Sequence, residues 1–181
     1  MALTFDVYVP TKPNGAGIIL TNSGGWTSPF ETFKVLEDSL YRFASDSEMT
    51  NSETWHILSP KQLVSNGYTV FQVRHGRQPK FVMSELVTPI RRAVQYIKQN
   101  ANSFKVDSDR IGLSGGSASG YLSLLIGLSP EIPFPDNEKS GNKNDALIVA
   151  IVVFAASSDL LKMMTDSPEE WIKSHIKNFH L

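Results

Sequence analysis

No cysteine occurs among the 181 residues, which excludes disulfide staples, thiolate chemistry and zinc–sulfur sites together. An excess of charge is also lacking: 17 basic and 18 acidic side chains leave a net charge of -1. The chain therefore carries no electrostatic footprint for nucleic acid or an anionic membrane. No run approaches the roughly 18 apolar residues of a membrane span. The start, Met1-Ala2-Leu3-Thr4-Phe5-Asp6, lacks a basic stretch followed by an apolar one, so no signal peptide is read there. The compartment stays open between cytoplasmic and, if an upstream segment exists, secreted. No metal-ligand spacing is present, and nothing calls for a cofactor. A small-molecule or neutral-polymer site is the class left to look for, with oligomeric state unread.

The composition is ordinary for a globular chain, 41% hydrophobic and 19% charged, and the length suits one domain, 1–181, with a real core. Leu3 to Val9 alternates apolar and polar residues and predicts a half-exposed edge strand. Gly17 to Thr21 and Tyr68 to Val73 predict strands by their β-branched and apolar content. Residues 30 to 65 predict two helices, the second ending before the stop signal Asn66-Gly67. Thr88-Pro89 reads as an N-cap and first helical residue, with a start near Ser84 as the alternative. The apolar stripe Ile90, Ala93, Val94, Ile97 then faces a core, solvated by Arg91, Arg92, Gln95 and Lys98. Asp107-Ser108-Asp109 is a turn, Arg110 to Leu113 a strand, and Ser117 to Leu128 a helix. Ala146 to Phe154, the longest apolar run, is expected as a central parallel strand, and two helices close the chain. Strands alternating with helices predict an α/β fold, a doubly wound and mostly parallel sheet with helices on both faces.

Two glycine-rich turns carry the chemistry. Gly115-Gly116-Ser117-Ala118-Ser119-Gly120 passes from a predicted strand into a predicted helix, where a serine is held on a sharp turn with its hydroxyl exposed above the sheet. The pattern is G-x-S-x-G except that Ser119 stands in the last glycine's place and Gly120 follows it. Asn22-Ser23-Gly24-Gly25-Trp26 ends the Gly17–Thr21 strand, where backbone N–H groups can face an oxyanion. The candidate site is thus Ser117 as nucleophile, with Gly24 or Gly25, and Ala118, as oxyanion donors. Trp26, Phe30 and His75 are candidate pocket residues. A phosphate-binding turn and a purely structural glycine turn are the competing readings, although G-x-G-x-x-G is not matched.

These motifs, with Gly67 to Gly76, Gln78 to Phe81, Arg92-Ala93-Val94 and Asp107-x-Asp109-Arg110-Ile111-Gly112, resemble the acetyl-esterase and hormone-sensitive-lipase-like branch of the α/β-hydrolases. The resemblance implies an ester hydrolase forming an acyl-enzyme on Ser117. It maps Ala118, Gly24 and Gly25 to the oxyanion hole, and implies a small-molecule ester substrate with no cofactor. Asn22 and Ser23 depart from the His and Gly usual there.

In that fold the acid and then the histidine follow the nucleophile in sequence. Only 64 residues follow Ser117, and none after Phe154 reads as a strand. The expectation is therefore a chain lacking the last two strands and, with them, the catalytic acid and base, active only in a longer form. Four histidines are the substitutes to weigh. His56 reads as solvated, His175 and His180 lie on a terminal helix, and His75 follows a strand at the carboxyl edge. Asp159 reads as a helix N-cap before Leu160 and Leu161, with the acid role as its alternative. A non-catalytic binding module keeping the hydrolase pocket, and a peptidase relative, are the rival functions.

Overall fold

The computed structural model describes residues 4–21, 60–75, 83–129 and 147–156, with Ser158, Asp159 and Lys162. The predicted turn Asn22–Trp26, Phe30, His56, the loop 130–146, His175, His180 and the terminal helices lie outside the described residues.

Five strands form one sheet in the order β1-β3-β2-β4-β5. They are β1 (Phe5–Tyr8), β2 (Gly17–Thr21), β3 (Thr69–Val73), β4 (Ile111–Gly116) and β5 (Ala150–Phe154). β1 runs antiparallel to β3 at one edge, pairing Phe5 with Val73 and Tyr8 with Val70. The remaining pairs are parallel. Their crossovers carry the helices α1 (Pro60–Ser65), α2 (Met83–Gln99) and α3 (Ser117–Leu128). This is the mostly parallel α/β architecture the alternation of elements predicts.

α2 and α3 share one core with the sheet. The α2 stripe of Ile90, Ala93, Val94 and Ile97 is fully buried, together with Leu122 of α3 and Ile19, Phe71 and Val73 of the sheet. β3 is buried at all five positions, as a strand covered on both faces must be. At the β1 edge, Phe5 meets Phe71, Tyr96 and Phe104 edge-on with ring centroids 5.9–6.2 Å apart. Gly67 ends α1 with φ +86, and an added Cβ would stand 3.0 Å from the Lys12 carbonyl oxygen. Glycine is therefore needed at that helix stop.

Three expectations are corrected. α2 begins at Met83 and carries Pro89 inside it. Of the two starts read from the sequence, the one near Ser84 is observed: Thr88 is a helical residue and not an N-cap, although Pro89 falls in the second turn rather than the first. Arg91 is buried at 4% exposure. It donates to the Ser129 carbonyl at the end of α3, and burial lowers its pKa from the ordinary guanidinium value. It faces the helix packed beside α2 rather than water. Finally, β5 closes the described sheet at the edge opposite β1. Val149 and Val152 are 60% and 46% exposed, so among the described residues the apolar run is a parallel edge strand and not a central one, which is where the expected lack of the last two strands leaves it.

Candidate functional site

The chain order fixes where a site can form. From β2 the chain moves outward to β3, returns past β2 to β4, and continues the other way to β5. The direction of winding reverses between β2 and β4, and ligand crevices of open α/β sheets lie at the carboxyl ends of such a pair. Thr21 ends β2, while Gly116 ends β4 and hands directly to Ser117. The Ser117 motif therefore leaves the sheet at this switch point, beside the end of the strand that the other glycine-rich motif follows in sequence.

Ser117 occupies the left-handed region at φ +51, a conformation that costs a non-glycine residue roughly 1–2 kcal/mol. Such strain persists only where the surroundings over-determine it, and here they do. A Cβ on Gly115 would stand 2.6 Å from the Ser119 carbonyl oxygen and 2.7 Å from its Oγ. A Cβ on Gly120 would stand 2.9 Å from Ala156 Cβ and 3.1 Å from the Gly115 carbonyl oxygen. The strand, the turn and the first helical residues thus touch with no room for side chains at these two positions. The strand–turn–helix corner read from the sequence is present, and α3 spans the residues expected, Ser117–Leu128.

The serine in place of the motif's last glycine has a structural use. Ser119 is fully buried, and its Oγ accepts from Gly116 N at 3.1 Å and donates to Gly116 O at 2.9 Å. It clamps the N–H and the carbonyl of Gly116, the residue just before Ser117, while occupying the space that Gly115 leaves empty. Ala118 is buried at the second position of α3, among the N–H groups that a helix leaves unsatisfied internally. Ser117 itself is half-buried.

His75 is buried, two residues beyond β3. Val73 pairs with Thr21, and Leu20 with Ser114, so His75 and Ser117 leave the sheet at the same level. β2 stands between their strands, and two strand spacings separate the axes by on the order of 10 Å. They share an edge but do not stand on neighbouring strands. Asp159 accepts from Lys162 N through Oδ1 at 2.9 Å, which is N-cap geometry. Of its two readings, the capping one is observed. Gly24, Gly25 and Trp26 lie outside the described residues.

Other features lie apart from this corner. An open groove of about 550 Å³ lined by Tyr8, Lys12, Pro60, Lys61 and Val64 sits at the amino ends of the parallel strands, opposite Ser117. No cluster of three or more His, Cys, Asp or Glu side chains suited to a metal occurs among the described residues. No described helix is long and apolar enough to cross a membrane.

A mostly parallel sheet with a strained serine at the β4–α3 corner defines the fold class as α/β-hydrolase. The similarities to known proteins agree. Over 99% of its length the chain superposes on an esterase from the Planctomycetes species Thermogutta terrifontis, Est2, solved with propionate bound. The TM-score is 0.65 at 16% identity, and the match covers 58% of that chain. The same esterase solved phosphonylated by sarin matches with TM-score 0.68 at 15% identity, and 59% of that chain is covered. An acetyl ester-xyloside bifunctional hydrolase from Caldicellulosiruptor lactoaceticus matches with TM-score 0.57 at 19% identity, over 89% of this chain and 50% of that one.

The family model described as BD-FAE matches residues 43–180, and the chain belongs to that family. A curated relative, the probable carboxylic ester hydrolase LipM of Mycobacterium tuberculosis (strain ATCC 25618 / H37Rv), is 28% identical over 71 residues. That stretch is 39% of this chain and 16% of LipM. Esterase LipQ of the same organism is 25% identical over 72 residues, 40% of this chain and 17% of its own. The chain thus spans about a sixth of the curated relatives it matches and somewhat over half of the Thermogutta esterase.

Proposed function

We propose that the chain is the nucleophile-bearing domain of a carboxylic ester hydrolase acting on small-molecule esters, with Ser117 forming the acyl-enzyme. The carrying observation is the strained serine, φ +51, at the switch point of the sheet, boxed in by glycines with no room for a Cβ. The ester-hydrolase names of relatives and structural neighbours support the same reading.

In this reading Ser117 Oγ attacks the ester carbonyl carbon and gives up its proton to a base. The carbonyl oxygen becomes an oxyanion facing the Ala118 N–H and the backbone of Gly24 and Gly25. Collapse of the tetrahedral intermediate breaks the C–O bond and releases the alcohol, which takes up the proton. Water then cleaves the acyl-serine by the same route in reverse order. Preorganised N–H donors supply most of the stabilisation in such a step. Trp26 and His75 are assigned to the wall of the acyl pocket. The acid and base of the reaction are assigned outside the described residues: Asp159 is committed to a cap, and His75 stands two strands from Ser117.

The test is hydrolysis of p-nitrophenyl acetate and butyrate by the complete product of the gene and by its Ser117→Ala variant. Turnover lost in the variant, with the fold retained by circular dichroism, is the expected result. Turnover unchanged in the variant, or ligand binding with no turnover in the folded parent, refutes it. The second outcome would return the fold to a binding role.

A further inference from the structure

Four hydroxyl side chains are buried around the elbow: Thr21, Ser114, Ser119 and Ser123. Burying a hydroxyl is unfavourable unless it is hydrogen-bonded, and each of these is. Ser123 Oγ donates to the Ser119 carbonyl at 2.8 Å. With Ser123's proton given to that carbonyl, the 3.2 Å contact between Thr21 Oγ1 and Ser123 Oγ is made by the single Thr21 proton, for which the carbonyls of Ser114 and Ser119 are the competing acceptors. Thr21 Oγ1 also stands 3.3 Å from the Ser114 carbonyl and 3.4 Å from the Ser119 carbonyl. Ser114 Oγ in turn donates to the Val152 carbonyl of β5 at 2.8 Å.

These bonds converge on the corner. The carbonyls of Ser114, Gly116 and Ser119 flank Ser117 on both sides, and each is approached by a side-chain hydroxyl. Thr21 is the one member on β2, the strand that leads in sequence to Asn22-Ser23-Gly24-Gly25. Its hydroxyl joins the carboxyl end of β2 to Ser123 Oγ and, through the proton Ser123 gives to the Ser119 carbonyl, to the helical side of the nucleophile turn. Valine would fill the same volume in a buried strand and could not make the bond to Ser123.

We infer that Thr21 and Ser123 are positioning residues that hold the Ser117 turn in register with the end of β2, so that the Ala118 N–H is fixed relative to the attacking hydroxyl. The inference rests on the reading of Ser117 as nucleophile. Neither residue touches the reacting atoms. Both act through Ser119, whose hydroxyl grips the N–H and the carbonyl of Gly116.

The test compares Thr21→Val, Thr21→Ser and Ser123→Ala with the parent, all in the complete product of the gene. One readout is the rate and apparent affinity of Ser117 modification by a fluorophosphonate. The other is amide hydrogen exchange at Gly116 relative to Ile90 in α2. Thr21→Val is expected to slow the modification step by on the order of tenfold or more with little change in probe affinity, because small misplacements at a reacting centre are costly. Thr21→Ser, which keeps the hydroxyl, restores the rate to within about threefold by the same logic. Exchange at Gly116 rises in the valine variant and in Ser123→Ala while Ile90 stays unchanged.

A valine variant that reacts at the parental rate overturns the inference, as does a serine variant slowed equally, or a rise at Gly116 matched by Ile90. If the parent itself is not modified at Ser117, the esterase reading fails. The exchange comparison then still decides whether the hydroxyls hold the turn.

Discussion

Replacing Gly115 with alanine tests the crowding at the corner, and Gly127→Ala is its natural control. By distance alone the control is worse: a Cβ on Gly127 would stand 2.0 Å from Ile151 Cδ1, against 2.6 Å between a Cβ on Gly115 and the Ser119 carbonyl oxygen. What must move decides the outcome. The atoms crowding Gly127 are Cδ1 and Cγ1 of one half-buried isoleucine, which can change rotamer. Those crowding Gly115 are backbone atoms of α3 and the hydroxyl that clamps Gly116. Moving them displaces the first turn of the helix and breaks two hydrogen bonds. Overpacking of about 1–3 kcal/mol, plus about 1 kcal/mol for each of the two lost hydrogen bonds, gives a loss of about 3–5 kcal/mol for Gly115→Ala. Gly127→Ala gains about 1 kcal/mol of helix propensity, which offsets the displacement of Ile151 and leaves it within about 1 kcal/mol of the parent. Urea unfolding read by circular dichroism measures both. A larger loss for Gly127→Ala than for Gly115→Ala would refute the ranking by what has to move.

Two further outcomes follow from strain and burial. Ser117→Gly and Ser117→Ala both remove the hydroxyl, but only glycine relieves φ +51, so the glycine variant is expected to be more stable by about 1 kcal/mol in the same unfolding assay. Arg91→Ala is expected to cost about 2–3 kcal/mol, because it deletes a buried stem and leaves the Ser129 carbonyl at the end of α3 without its charged donor. A loss under half a kcal/mol, the size typical of an exposed residue, would contradict the buried role of Arg91.

Much of this was legible in the sequence because the signals were local. β2 and β3 follow from β-branched runs, α3 from the motif that starts it, and the Asp159 cap from one residue type before an apolar pair. The departures share a different cause. Arg91 reads as solvated on its own helix, and only the neighbouring α3 terminus shows what it faces. Thr88-Pro89 carries a valid local start signal that packing of Leu86 and Val87 in the core overrides. An apolar run reports that a strand is hydrophobic, not what lies beside it, so among the described residues β5 stands at an edge, a place that only the expected lack of two further strands foretold. The hydroxyl network joins Thr21 to residues about a hundred positions away. Nothing but the parallel pairing of β2 with β4 brings them together.

The central claim is that Ser117 is the nucleophile. Treating the complete product of the gene and its Ser117→Ala variant with a fluorophosphonate, and reading the adducts by intact mass and peptide mapping, tests it most directly. The account predicts one adduct, mapped to Ser117 and absent from the variant. A folded parent that takes up no label, or one labelled at another serine and equally in the variant, would contradict it.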